Sequence, residues 1–324
     1  MVLNTNVTEV QRIFSGALVH PEIVPYVTVI LGNNTGSFCT GSLIALDLVL
    51  TLARCLYNGL HQGEFSDSLT VLSGVTTLTN LTAQTAVQKR YVSSISIHPN
   101  FNVSASDPSF GYNDIVILLM NEPFKETDSV KPTPVGDIDW TVNSDVKCKM
   151  AGYDAVNPLS FSPEDDHLKL HEVVATRKCD CRQSLITHFG HRVDRWICLR
   201  PEEDPGPCVG GAGAGLVCDG KLLALNVGII PFSDLSQCIF RHTPIVSCES
   251  KYSLAIFLDL CPYLRWIHFN YRDISAGPVN CSKASSFYSS LTTIVFAAFL
   301  LVGVQCNYLK SLYLIWNILL KIWV

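Results

Sequence analysis

Dense runs of lysine and arginine are missing from this chain, which carries 23 Lys and Arg against 28 Asp and Glu for a net charge of −5. Without a basic face to meet phosphates, nucleic acid drops out as the expected partner. No two Cys-x-x-Cys pairs stand at zinc spacing, so no metal or other cofactor is expected. Internal repeats and low-complexity tracts are absent, which excludes a repeat architecture. Helical periodicity is absent before about residue 254, which excludes a helical bundle. The opening "MVLNTNVTEVQ" has no apolar core, so no signal peptide is visible in it.

What is present points the other way on compartment. Thirteen cysteines are spread along the 324 residues, which predicts disulfides and an oxidising environment. Five N-x-[ST] sequons, at Asn6, Asn33, Asn80, Asn102 and Asn280, fit a glycoprotein of the secretory pathway or cell surface. Near the carboxyl end, "FYSSLTTIVFAAFLLVGVQCNYL" at 287–309 carries no charge. That is long enough for a helix to cross a bilayer core of about 30 Å. A single transmembrane span with a short apolar tail at 310–324 is the first expectation. The alternatives are a lipid-anchor signal, with Ala284, Ser285 and Ser286 as its small residues, and a buried hairpin.

Short apolar or alternating runs fill the rest: "YVTVILG", "GSLIALDLVLTL", "SLTVLSGV", "RYVSSISIH", "NDIVILLM", "DVKCKMAGY" and "GLVCDGKLLALNVGII". Gly, Asn, Pro and Asp punctuate them, which predicts an all-β barrel or sandwich. "LAIFLDLCPYLRWIHF", about 254–269, has apolar residues three and four apart and reads as one closing helix. A Pro- and Ser-bearing linker at 273–286 follows.

Five of these segments, in order, resemble the chymotrypsin-like (trypsin-fold) serine proteases. "RIFSGALVHPEIVPYVTVI" is similar to the family's R-I-V-G-G activation site and following strand. "FCTGSLIALDLVLTLARC" is similar to C-G-G-S-L-I-x-x-x-W-V-L-T-A-A-H-C. "NDIVILLM" is similar to N-D-I-x-L-L-x-L, and "CKMAGYD" to C-x-x-A-G-W-G. "CVGGAGAGLVCDGKLLAL" lies over C-x-G-D-S-G-G-P-L-V-C-x-G-x-L. The likeness covers about Arg12 to His268. It implies a short pro-segment at 1–12 and a protease-like domain at 13–272. Two six-stranded antiparallel β-barrels, at about 13–125 and 126–253, would precede the closing helix and the membrane span.

The family's chemistry needs a hydroxyl nucleophile, an imidazole base, an orienting carboxylate and backbone donors for the oxyanion. Carried over by position, the imidazole site holds Arg54, the carboxylate site keeps Asp114 and the hydroxyl site holds Ala212. Gly211 stands where the family has the acidic residue that meets the ammonium freed by activation, here at Ile13. Gly210 and Ala212 keep backbone N–H groups for an oxyanion hole, and Gly206 replaces the acidic floor of a trypsin-like pocket. The family's S-W-G edge strand is replaced by Asn226, Val227, Gly228 and Ile229. Guanidinium does not act as a base near neutral pH, and alanine has no attacking atom. Asp114 would be satisfied by Arg54 through a charge-assisted, bidentate pair, or else by water and backbone donors. The resemblance also implies disulfides Cys39–Cys55, Cys148–Cys218 and Cys208–Cys238, with Cys198 bonded to Cys179 or Cys181. Cys248–Cys261 is a further pairing without family support.

The expected function is a membrane-tethered, catalytically inactive protease homologue that binds protein, as a decoy, an adaptor or regulator of an active protease, or a surface ligand. A protease of non-standard mechanism and a non-functional relic are the alternatives.

Overall fold

Continuous apolar strands separated by tight turns build the body of the molecule. The computed structural model describes residues 16–32, 38–56, 69–101, 113–138, 140, 145–153, 167–176, 181, 185, 195–199, 211–231 and 253–271. The chain divides into two units, Met1–Val279 and Asn280–Val324, and the second lies outside the described residues. So does the expected span at 287–309; no helix among the described residues is long and apolar enough to cross a membrane.

The first barrel contains β2 (Val27–Gly32), β3 (Phe38–Ala45), β4 (Leu48–Thr51), β5 (Leu69–Ser73), β6 (Gln88–Ile97) and β7 (Val116–Met120). They close in the order β2-β3-β4-β7-β6-β5 with antiparallel neighbours. Ile30, Leu43, Val49, Val71, Val116 and Leu118 fill the interior and are at most 2% exposed. β-Branched and leucine side chains suit a pleated surface buried on its inner face.

The second barrel contains β8 (Asp145–Tyr153), β9 (Leu168–Thr176), β10 (Trp196–Leu199), β11 (Gly215–Cys218), β12 (Lys221–Pro231) and β13 (Ser253–Asp259). Their order is β9-β10-β13-β12-β11-β8, and the β8–β9 pairing closes the ring. Met150, Ala175, Ile197, Leu216, Leu223 and Phe257 form its core. Between the barrels, Val24, Tyr26, Val29 and Leu72 pack with Ala151, Tyr153 and Leu168. Burial pushes the Tyr153 phenol above its ordinary pKa, and its hydroxyl donates across this seam to the Val75 carbonyl at 2.7 Å.

Two segments of the described chain reach across from one barrel to the other. β1 (Ala17–Leu18), near the amino end, pairs with β9 of the second barrel. The short helix α1 (Leu264–Asn270) approaches the first barrel, where the His98 ring meets Trp266 and the preceding Tyr263.

Two expectations need correction. Residues 254–269 are not one helix: their first part is β13, and only Leu264–Asn270 is α-helical. Leu254, Ala255, Ile256, Phe257 and Leu258 are all buried. A strand covered on both faces reads as a plain apolar run, which periodicity cannot tell from a helix. Pro262 then separates strand from helix within a 3₁₀ turn, Cys261–Tyr263. Consequently the second barrel extends beyond 253, to Asp259.

Cys39–Cys55 and Cys148–Cys218 are bonded, and Cys198 is bonded to Cys181, which settles the choice between Cys179 and Cys181. Cys261 is also in a disulfide. Cys179, Cys208, Cys238 and Cys248 lie outside the described residues.

Cys148–Cys218 joins β8 to β11 across 70 residues of sequence. Replacing both cysteines with serine is expected to lower unfolding free energy by about 2–4 kcal/mol in urea titrations; no change would show the barrel closes without this link.

Candidate functional site

Asp114 is completely buried, at the entry to β7. The residue before it, Asn113, takes left-handed backbone at φ 53° and is fixed by its own amide group. Its Nδ2 donates to the Asn100 carbonyl at 2.7 Å, and its Oδ1 accepts from Arg195 and from the Tyr263 hydroxyl at 3.3 Å. The backbone entering the site is therefore held from three directions.

Arg54 sits in the 3₁₀ turn Ala53–Leu56 that follows β4, and the Cys39–Cys55 bond pins that turn to β3. Its backbone N–H donates to Asp114 Oδ1 at 2.8 Å, and its Nε stands 3.3 Å from Asp114 Oδ2. The expected pair is thus present, but not as a two-pronged guanidinium fork. Instead, Nη2 turns to the Val227 carbonyl on β12 of the second barrel. Burial pushes the Asp114 carboxyl above its ordinary pKa; the Arg54 guanidinium and the backbone N–H groups of Arg54 and Ala53 pull against it.

A β-bulge makes the Val227 contact available. Asn226 pairs with Phe257 and Gly228 with Ile256, so Val227 is the extra residue on β12. A bulge takes one peptide out of the regular ladder, and here the carbonyl goes to a guanidinium.

The turn 211–214 completes the site. The Ala212 carbonyl accepts from Thr40 N–H at 2.9 Å, and the Ala214 N–H donates to the Gly211 carbonyl at 2.8 Å. Gly213 has φ +83°, and a Cβ there would stand 2.2 Å from the Thr40 carbonyl and 2.4 Å from Thr51 Oγ1. Thr51 Oγ1 donates to that same Thr40 carbonyl at 2.8 Å. Glycine is required at 213 by both backbone conformation and space.

Arg54 and the 211–214 turn therefore converge on adjacent residues of β12: Arg54 on Val227, and the turn on Asn226. Position 54 presents a guanidinium already engaged with a carboxylate and a carbonyl. Position 212 presents a methyl group. Neither offers a lone pair at neutral pH. Among the described residues, no group of three or more His, Cys, Asp or Glu is placed to hold a metal ion. Gly206, Gly210 and the Arg12–Ile13 bond lie outside the described residues, as do the sequons at Asn6, Asn33, Asn102 and Asn280. Asn80 is exposed, in left-handed backbone before the 3₁₀ turn Leu81–Ala83.

Sequence reasoning gave no role to Asn226, Thr40, Thr51 or the Val227 carbonyl. Asn226 carried a weak signal, as an amide in an otherwise apolar strand segment. The others act through backbone atoms or a common hydroxyl, which residue types do not advertise.

A model of the family described as Trypsin matches residues 13–266. Mouse Kallikrein 1-related peptidase b3 is 28% identical over 241 residues, 72% of this chain and 80% of that protein. Mouse Kallikrein 1-related peptidase b16 is 27% identical over 191 residues, 57% of this chain and 67% of that protein. In fold, the chain is similar to mouse neuropsin, described as a serine protease expressed in the limbic system of the brain. The TM-score is 0.58 at 21% identity, covering 79% of this chain and 98% of that one.

Removing the Arg54 guanidinium leaves a buried carboxylate without its cation. Arg54→Met is expected to cost about 3–5 kcal/mol near neutral pH, and Arg54→Met with Asp114→Leu to cost clearly less. A raised carboxyl pKa in the folded state means stability falls as pH rises through it. The Arg54→Met deficit should therefore shrink in acid, where Asp114 takes up a proton. Urea unfolding at several pH values reads this; a pH-independent deficit would show that Asp114 is satisfied without Arg54.

Proposed function

This chain belongs to the trypsin family, and from that premise we propose that it is a catalytically inactive member that acts by binding protein. The observation that carries the reading is the engagement of Arg54 by Asp114 and the Val227 carbonyl, beside a methyl group at position 212. Peptide hydrolysis by the family's route needs a proton acceptor and an attacking heteroatom in those two places. Loss of either lowers turnover by roughly 10⁴–10⁶.

The scaffold around this site is in order. The turn that carries position 212 is hydrogen-bonded throughout, and two closed barrels with three described disulfides support it. A rigid body of this kind presents a fixed surface, which lowers the ordering cost of binding. The partner is a protein: an active protease, its substrate or its inhibitor, or a surface receptor.

The reading includes the secretory pathway and a membrane tether through the uncharged segment at 287–309. Disulfides and the exposed sequon at Asn80 support the first; the length of the uncharged run supports the second.

Purified chain is expected to hydrolyse neither peptide p-nitroanilides nor protein substrates above background, whereas Arg54→His with Ala212→Ser is expected to raise hydrolysis above the parent. Turnover by the parent that co-purifies with it through successive columns would overturn the proposal. When the chain is expressed in a secretory host, the expected glycan at Asn80 gives a mass loss on amidase treatment that Asn80→Gln reduces by one glycan. An unmodified Asn80 in the mapped peptide would refute that assignment.

A further inference from the structure

Residue 226 does more than continue β12. Its backbone N–H donates to the Ala214 carbonyl at 2.8 Å, and its carbonyl accepts from the Gly213 N–H at 2.9 Å. Its side-chain Nδ2 donates to the Gly211 carbonyl at 3.0 Å. One residue thus ties three of the four residues in the 211–214 turn. The atom facing a carbonyl must be the amide's donor, so the orientation of Asn226 is set by its partner. Asn226 is 1% exposed, so water does not compete for these contacts.

The fit runs both ways. A Cβ at position 211 would stand 3.0 Å from Asn226 Nδ2, within van der Waals crowding. An acidic side chain at 211 and the amide at 226 would contend for one space. The resemblance implies that an acidic residue at this position is what couples the turn to a newly cut amino terminus. Here the carboxylate is gone and the Asn226 amide lies where a side chain at 211 would project.

We propose that Asn226 replaces the activation ion pair: it holds the 211–214 turn in its assembled form whether or not the Arg12–Ile13 bond is cut. Gly211 and Asn226 are a matched pair, and the site is built without a processing step. Any partner that reads this part of the surface meets the same surface before and after proteolysis.

Amide hydrogen exchange on the full chain decides the matter. Two forms are compared: one with the bond secured by Arg12→Gln, and one beginning at Ile13 after removal of a tag. The Gly213 and Ala214 amides are expected to exchange at rates within about twofold in both. Protection that appears only in the form beginning at Ile13 would overturn the proposal. Asn226→Ala is expected to speed exchange at those two amides by at least about tenfold, while Leu50 and Ile117 in the first barrel stay protected. Unchanged protection at Gly213 and Ala214 in that variant would also overturn it. Should Asn226→Ala open both barrels, the comparison of the two chain forms, which leaves the turn unaltered, decides alone.

Discussion

A carboxylate with no access to water must be neutralised by what surrounds it, and Asp114 sets this condition for the whole site. Its partner has to come from the first barrel, because Asp114 enters β7 beside the 3₁₀ turn after β4. Arg54 meets the need with its backbone N–H and its Nε. A guanidinium has further donors to place, and the bulge at Val227 provides a carbonyl in the other barrel. One guanidinium thereby serves both barrels, ion-paired to Asp114 in the first and hydrogen-bonded to Val227 in the second. The cation that balances the buried charge is also the group that fills the place of a base.

Steric demands and chemical demands have separated in this molecule. Gly213 is held by its positive φ and by the closeness of Thr40 and Thr51, none of which concerns bond cleavage. The disulfides, the closed sheets and the interbarrel seam are likewise matters of packing. Positions 54, 211 and 212, to which the family resemblance assigns the chemistry, hold an arginine, a glycine and an alanine, and the proposal of inactivity rests on them. A scaffold whose loops and staples are in register, but whose reactive atoms are replaced, is suited to recognition through its surface.

Much of this was legible in the residues. Alternating apolar runs and turn residues predicted an all-β barrel or sandwich, and the order of five segments gave the family and, through it, the two barrels. Arg54 and Ala212 at the positions the family gives to a base and a nucleophile were carried over from that resemblance, and the proposed inactivity rests on them. The pairing of Arg54 with Asp114 followed from the cost of burying a charge. Other features were hidden for physical reasons. β13 is apolar on both faces, so its period is masked, and it was read as helix. The turn of Nη2 toward Val227 depends on a bulge, a backbone event with no residue-type signature. The clamp at Asn226 depends on two segments more than ten residues apart meeting in space. Cys179 and Cys181 differ by two positions, and only the course of the chain separates them.

The most direct measurement is reaction of the full, purified chain with a fluorophosphonate, followed by intact-mass analysis under conditions that label an active trypsin-family peptidase completely. With a guanidinium at 54 and a methyl at 212, no mass gain is predicted. A single stoichiometric adduct mapped to a residue in the cleft between the barrels would contradict it.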